Sequence, residues 1–282
     1  MDLWQTSRRQ ISLERPLVMG ILNVTPDSFS DGGRFAGIDA ALKGTEQMLS
    51  EGVDIIDIGG ESTRPSAERV ALDIEIGRVL PVIEEVSKRL DVPISIDTTR
   101  SEVARRALDA GAEIINDISG LRFDPAIADV AAVAGAGLVL MHSRGSFETM
   151  HSQPPVPDIF QEVVTILSKS VSTALRAGVD ASRIALDIGV GFGKTLEQNL
   201  ELIAKVGKLA DEFKDYPIVV GTSRKSFIGK LLGGVPPESR LNGSLATAVV
   251  AAWNGASILR VHDVAATVEA LKITTALMSQ RQ

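Results

Sequence analysis

Eight short apolar runs in this chain finish on or near polar side chains, and those side chains are the first candidates for chemistry. Run 17–22 leads to Asn23, run 53–58 carries Asp57 near its end, run 94–96 leads to Asp97, and run 114–115 leads to Asn116 and Asp117. Run 138–141 leads to His142, run 184–186 to Asp187, run 218–220 to Gly221 and Thr222, and run 258–261 to His262. A single Asp or Asn after a strand commonly caps the next helix or closes an Asx-turn. Three of these residues point elsewhere. Asp97 precedes Thr98 and Thr99, which can cap in its place; Asn116 sits in an apolar stretch, where a buried amide needs partners; Asp187 is followed by a glycine loop. Carboxylates accept hydrogen bonds and a carboxamide both donates and accepts. Asp97, Asn116 and Asp187 therefore suit a flat heterocycle with ring N–H and amino groups.

The cations form a second set. Arg64 follows Gly59-Gly60-Glu61-Ser62-Thr63, Lys225 follows Thr222-Ser223-Arg224, and Arg260 and His262 alternate along one run and so share a side. A lone Arg-x-His pair is ordinarily a salt-bridge position. Here Thr222 and Ser223 read as the capped start of a helix, whose free N–H groups favour an anion. Together these residues indicate an anion site. The long polar loop 23–33 reads as a mobile cover over a site, or else as an ordinary surface connection. Residues 189–195 approximate a nucleotide P-loop but are one residue short of it. Residues 27–32 approximate a calcium loop, with Phe29 at a ligand position and Ile38 in place of the closing Glu.

The elements that must position these groups are strands and helices in alternation. The runs are rich in β-branched residues and continuous, as in strands buried on both faces. Helical stretches lie between them at 73–90, 158–177, 196–213 and 264–278. The repeat of about 35 residues is that of a strand–helix unit. Eight such units imply a single (β/α)8 barrel, a TIM barrel, spanning 1–282 as one domain. A doubly wound open sheet is the competing arrangement. Residues 1–16 read as an N-terminal extension, with a short hairpin over 3–13 turning at Ser7-Arg8-Arg9-Gln10. In a barrel the active site sits at the C-terminal strand ends, where the polar residues fall.

Composition narrows the function. Lys and Arg number 29 against 36 Asp and Glu, a net charge of −7, which disfavours nucleic acid as partner. There is no cysteine, so thiolate catalysis, disulfides and zinc–cysteine sites are excluded. Three histidines are too few for a histidine-only zinc site with spare ligands. The N-terminus lacks the apolar core of a secretory signal. Nor is there an apolar run of about 18 residues that would span a bilayer. The expectation is a cytoplasmic protein with no membrane partner.

Seven stretches, in order, resemble the dihydropteroate synthases, the pterin-binding barrels of folate synthesis. They are MGILNVTPDSFSDGG at 19–33, DIGGESTRP at 57–65, SIDT at 95–98, IND at 115–117, GFGK at 191–194, SRKSF at 223–227 and RVHD at 260–263. The resemblance implies a transferase that joins 6-hydroxymethyl-7,8-dihydropterin diphosphate to p-aminobenzoate. It implies a pterin held by Asp97, Asn116, Asp187 and Lys225, and a diphosphate beside Thr63, Arg64, Arg260 and His262. It further implies Mg²⁺ held through Asn23, and an aminobenzoate site lined by Pro65, Phe192, Lys225 and Ser226. Phe29 and Asp31 would close over it from the first loop. The catalytic set so implied is Phe29, Asp31, Arg64 and Lys225, and the helix at Ser226 would face a carboxylate rather than a phosphate. Ile188 departs from the family, which usually has proline after the strand-six aspartate. The segment 244–253 is apolar on more than one face, in line with the homodimers of the family. Rival readings are a pterin-dependent methyltransferase on the same barrel, a Schiff-base aldolase using Lys225, and a non-enzymatic pterin binder.

Overall fold

The computed structural model describes residues 3–24, 33–63 and 68–280. Eight parallel strands close into a barrel: β3 (Leu17–Asn23), β4 (Ile55–Gly59), β5 (Ile94–Asp97), β6 (Ile114–Asp117), β7 (Gly137–Met141), β8 (Ile184–Asp187), β9 (Ile218–Val220) and β10 (Ile258–Val261). Neighbours in the sheet are neighbours in sequence, and β10 returns to β3 with Arg260 opposite Met19. This is the TIM barrel expected from the eight runs.

Helices α1 (Gly33–Ser50), α2 (Leu72–Arg89), α3 (Ser101–Ala110), α4 (Ile127–Ala134) and α5 (Ile159–Arg176) cover the first five strands. Then follow α6 (Leu196–Ala204), α7 (Val206–Glu212), α8 (Ser226–Leu231), α9 (Leu241–Trp253) and α10 (Val264–Met278). Their inward faces follow helical spacing. In α2, for example, Ile76, Val79, Val82, Ile83 and Val86 are buried against the barrel wall. Local chemistry starts two of them: Asp158 accepts from the Gln161 N–H at α5, and Thr195 and Gln198 form a capping box at α6.

Three local expectations change. The stretch 196–213 is two helices, broken at Lys205, although Leu202, Ile203, Val206 and Leu209 keep one buried face across the break. α8 starts at Ser226 with Lys225 before it and no side-chain cap, so Thr222 and Ser223 do not cap it. Thr98 accepts from the Arg100 N–H at 3.3 Å, but the first N–H of α3, at Ser101, goes to Asp124 at 2.7 Å.

Period-two alternation sorts each strand into an outer row facing the helices and an inner row facing the barrel axis. Leu17, Met19, Ile55, Ile114, Val139, Ala185, Val219 and Ile258 form one buried inner cluster. Trp4 and Ile11 of the N-terminal hairpin, β1 (Leu3–Gln5) with β2 (Gln10–Ser12), complete it from below. Trp4 is fully buried and donates its indole N–H to the Arg183 carbonyl at 2.9 Å. Thr6 and Arg9 fix the hairpin to the buried Glu113, at 2.8 Å each. Among the described residues no helix is long and apolar enough to cross a membrane.

Candidate active site

Two residues beyond the apolar inner cluster, the same rows turn polar. Ile55 is followed on its side by Asp57, Ser95 by Asp97, Ile114 by Asn116, Ala185 by Asp187 and Ile258 by Arg260. Arg260 is the centre of this layer. Its Nε donates to Asp57 Oδ2 at 2.6 Å and its Nη2 to Asp97 Oδ2 at 2.6 Å. Asp57 Oδ2 also accepts from Asn116 Nδ2 at 3.1 Å. The fully buried Asp57, one of the polar run ends, belongs to this floor, as its position two residues past Ile55 signals. Arg260, expected beside a diphosphate, ties two floor carboxylates together.

Burial sets the electrostatics of this floor. It pushes Asp97 up to about 7 even though Arg260 works against the rise, while Asp57, Glu75 and Asp117 add to it. Asp117 likewise rises to about 6 by burial, against hydrogen bonds from Ser119 and Leu121. Asp187 rises by burial, opposed chiefly by Lys225. Lys225 falls to about 8 by burial, against the pull of Asp187. Burial also opposes the charge of Arg260, but Asp57 and Asp97 more than compensate, so it stays protonated.

Above the floor opens a cavity of about 710 Å³. Asn23, Thr63, Asp97, Phe192, Lys225, Ser226, Arg260 and His262 line it, so these expected residues share one space. Asn116 and Asp187 are buried beneath it. Phe29, Asp31, Arg64 and Pro65 lie outside the described residues.

The loop after β8 forms one wall. Asp187 Oδ1 accepts the Gly189 N–H at 2.6 Å, and Gly189 has φ +65°. A Cβ there would lie 1.8 Å from the His142 carbonyl oxygen, so only glycine fits. The loop is closed by its own lysine. Lys194 Nζ donates to the carbonyls of Gly189 at 2.6 Å and Phe192 at 3.0 Å. Burial holds the Lys194 ammonium well below its usual pKa. The P-loop likeness thus ends in a lysine turned onto its own backbone. Lys225 reaches the same loop, donating to the Val190 carbonyl, with its Nζ 4.9 Å from the Phe192 ring centroid.

Backbone strain aims Lys225. Arg224, with φ +57°, is held by an ion pair to Asp263 and by its own N–H to Ser244 Oγ at 2.9 Å. In the same loop, Ser223 Oγ is 3.1 Å from both the His262 N and His262 Nδ1. Glu61 and His151 also line the cavity and were not anticipated. His151 stands in an irregular segment between β7 and α5, where no periodicity announces a role.

Comparison with known proteins agrees with this geometry. A family described as "Pterin binding enzyme" matches residues 19–262. The dihydropteroate synthase of Synechocystis sp. is 48% identical over 94% of this chain and 91% of its own length. That of Escherichia coli is 45% identical over 96% of this chain and 95% of its own. Among solved structures, Xanthomonas albilineans dihydropteroate synthase with 4-aminobenzoic acid superposes with a TM-score of 0.92 at 42% identity, covering 99% and 98% of the two chains. Burkholderia cenocepacia dihydropteroate synthase complexed with 7,8-dihydropteroate gives 0.88 at 43% identity, covering 99% and 97%.

Proposed function

This chain belongs to the pterin-binding enzyme family, alongside the dihydropteroate synthases, and on that footing we propose the reaction it performs. It condenses 6-hydroxymethyl-7,8-dihydropterin diphosphate with p-aminobenzoate, giving 7,8-dihydropteroate and diphosphate. The observation that carries this reading is the polar layer of Asp57, Asp97, Asn116 and Arg260 at the floor of a one-sided cavity, with Lys225 and Phe192 on its wall. Asp97, Asn116 and Asp187 offer acceptors and one amide to the edge of a pterin, and Lys225 adds a donor. Thr63, Arg64 and His262 surround the diphosphate, with Arg260 between pterin and diphosphate. Phe192, Pro65, Lys225 and Ser226 take the aminobenzoate.

In the step itself, the C–O bond from the pterin methylene to diphosphate breaks and diphosphate leaves with the electron pair. The neutral aromatic amine needs no strong base before it attacks. Its nitrogen forms the new C–N bond and then releases a proton to solvent. We assign an SN1-like course, in which the electron-rich pterin shares the positive charge and Asp31 offsets it from the first loop. Phe29 and Asp31 also exclude water, which would otherwise capture the cation. Fixed cations at the departing oxygen act as preorganised electrostatic stabilisation.

Asn23 presents one neutral oxygen donor at the cavity wall, and among the described residues no group of three His, Asp or Glu side chains surrounds a metal position. A single oxygen ligand at Asn23 fits Mg²⁺, which keeps several waters and shares substrate phosphates. When bound through Asn23, the ion supplies charge neutralisation for the leaving diphosphate.

The deciding assay supplies pterin diphosphate, aminobenzoate and Mg²⁺ to the purified protein. Dihydropteroate and diphosphate should appear in equal amounts. Their absence rejects the reading, and methyl transfer from a folate to a corrinoid would install the methyltransferase in its place. Because the Yersinia pestis relative was solved with a sulfonamide drug complex, sulfonamides should inhibit competitively with aminobenzoate. We also assign a cytoplasmic homodimer. Leu231, Leu241, Val250 and Ile273 of α8, α9 and α10 are all at least 36% exposed, and a second copy covers them. A sedimentation mass near 29.9 kDa, that of one chain, would refute the dimer.

A further inference from the structure

We propose that His151 is a positioning residue that clasps the loop after β4 to the loop after β8. Its Nε2 lies 2.7 Å from the Thr63 carbonyl oxygen, and its Nδ1 lies 3.3 Å from the Gly191 carbonyl oxygen. Its ring is 5.4 Å, centroid to centroid, from Phe192 and tilted by 33°. A carbonyl only accepts, so the proton belongs on the nitrogen with the shorter contact, and the Nε2–H tautomer donates to Thr63. Nδ1, unprotonated in this tautomer, makes no hydrogen bond to the Gly191 carbonyl, so the ring packed on Phe192 is the second half of the clasp.

His151 adds a link between two loops that are each held separately at other points. Its own segment is held by Arg144, whose Nη1 donates to the carbonyls of Pro154 at 2.6 Å and Gly193 at 2.8 Å. The Arg144 Nε meets Glu162 of α5 at 2.8 Å. The loop after β4 is pinned at its neck. Glu61 Oε1 accepts the Val70 N–H at 2.9 Å and the Arg100 Nη2 at 3.1 Å, and Arg100 pairs with buried Glu75 at 2.9 Å. Glu61 and Val70 are thereby tied together, and Thr63 is held separately by His151. On the far side, Gly191 precedes Phe192 and is otherwise held through its N–H by Asn199 at 2.6 Å.

Thr63 was assigned to diphosphate and Phe192 to aminobenzoate, and that part of the inference rests on the function proposed above. His151 then fixes the separation between leaving group and nucleophile without touching either reacting atom. Misplacement of reacting groups by a fraction of an ångström lowers rate through lost orientation.

The test compares His151→Phe, which keeps a ring beside Phe192 and loses both nitrogens, with His151→Gln, which keeps an N–H donor. Hydrogen exchange is read on peptides carrying Thr63 and Gly191. In His151→Phe the Thr63 peptide should exchange about tenfold faster as the loop after β4 loses its tie, while the Gly191 peptide, whose N–H is held by Asn199, stays protected and Tm stays within 2 °C of wild type. His151→Gln should restore protection at Thr63. Kinetically, His151→Phe should lower kcat/KM for aminobenzoate about tenfold, and His151→Gln should recover most of it. Unchanged exchange in the Thr63 peptide, or a His151→Gln as impaired as His151→Phe, overturns the clasp. If His151→Phe does not fold, His151→Asn, too short to reach Thr63, takes its place. Should the wild type make no dihydropteroate, the proposed reaction falls, yet the exchange measurements still decide the clasp.

Discussion

Asp57→Asn is the sharpest probe of the floor, because Asp57 is fully buried and does not line the cavity. Its Oδ2 receives Arg260 at 2.6 Å and Asn116 at 3.1 Å, while its buried Oδ1 has no hydrogen-bond partner. An asparagine with its oxygen in the Oδ2 position keeps both bonds but puts an NH2 where no acceptor waits. A buried unsatisfied donor costs about 1–3 kcal/mol. Loss of one member of a buried ion pair costs about 3–5 kcal/mol when the other charge is left alone. Here Asp97 remains 2.6 Å from Arg260, so the cost falls at the low end of these ranges, about 3 kcal/mol in all. At roughly 2–4 °C per kcal/mol, Tm should drop by about 6–12 °C. Arg260 then faces a neutral amide on one side and keeps only Asp97 as a charged partner, and Asn116 loses the charge that orients its amide. Affinity for 6-hydroxymethylpterin should fall about tenfold, the equivalent of one weakened charge-assisted hydrogen bond. Circular dichroism melting and titration calorimetry read both effects. A Tm within 2 °C of wild type together with unchanged pterin affinity refutes the idea that Asp57 holds the floor.

Burial raises Asp97 to about 7, so its proton leaves near neutrality. If the ionised form accepts pterin N–H groups, affinity should fall by about tenfold per unit below pH 7 and level off above it. For folding the sign is opposite. The folded pKa exceeds the ordinary 3.8, so the stability from this group is fully present at low pH and is lost as pH rises through about 7. Asp97→Asn should flatten both dependences in calorimetric titrations and melting curves, and a flat wild type would contradict them. Asp187→Ala should abolish pterin binding, because it removes both the carboxylate facing Lys225 and the acceptor that fixes Gly189; retained calorimetric affinity argues against the assignment. Asp31→Ala should lower kcat by about 10²–10³ and leave pterin binding intact, the size expected for one electrostatic group, and steady-state turnover equal to wild type excludes it.

The barrel was legible because strands buried on both faces read as unbroken β-branched runs, and eight of them at even spacing suit only a few topologies. The polar residues at the run ends could be read from the same pattern, and Asn23, Asp97, Lys225, Arg260 and His262 do meet around one cavity. The partners of Arg260 could not be foreseen. Asp57 is 203 residues away in sequence, and the two meet only once β10 has returned to β3. Local helix detail was lost for another reason. The break at Lys205 leaves the buried apolar face continuous, so periodicity alone does not register it. Capping propensity misled at α8, where Thr222 Oγ1 instead accepts a hydrogen bond from Thr247 at 2.8 Å. His151 escaped because irregular backbone has no period, and its contacts come from segments 88 and 40 residues distant.

The indole of Trp4 has a consequence for traffic through the molecule. With that ring and its neighbours stoppering the lower end of the barrel, the cavity is a cul-de-sac among the described residues. On the proposed reading, whatever rests against Asp97 and Arg260 enters before anything seated above it and leaves after it. A compound lodged against Phe192 and Lys225 therefore blocks not only its own seat but also the exit of everything deeper.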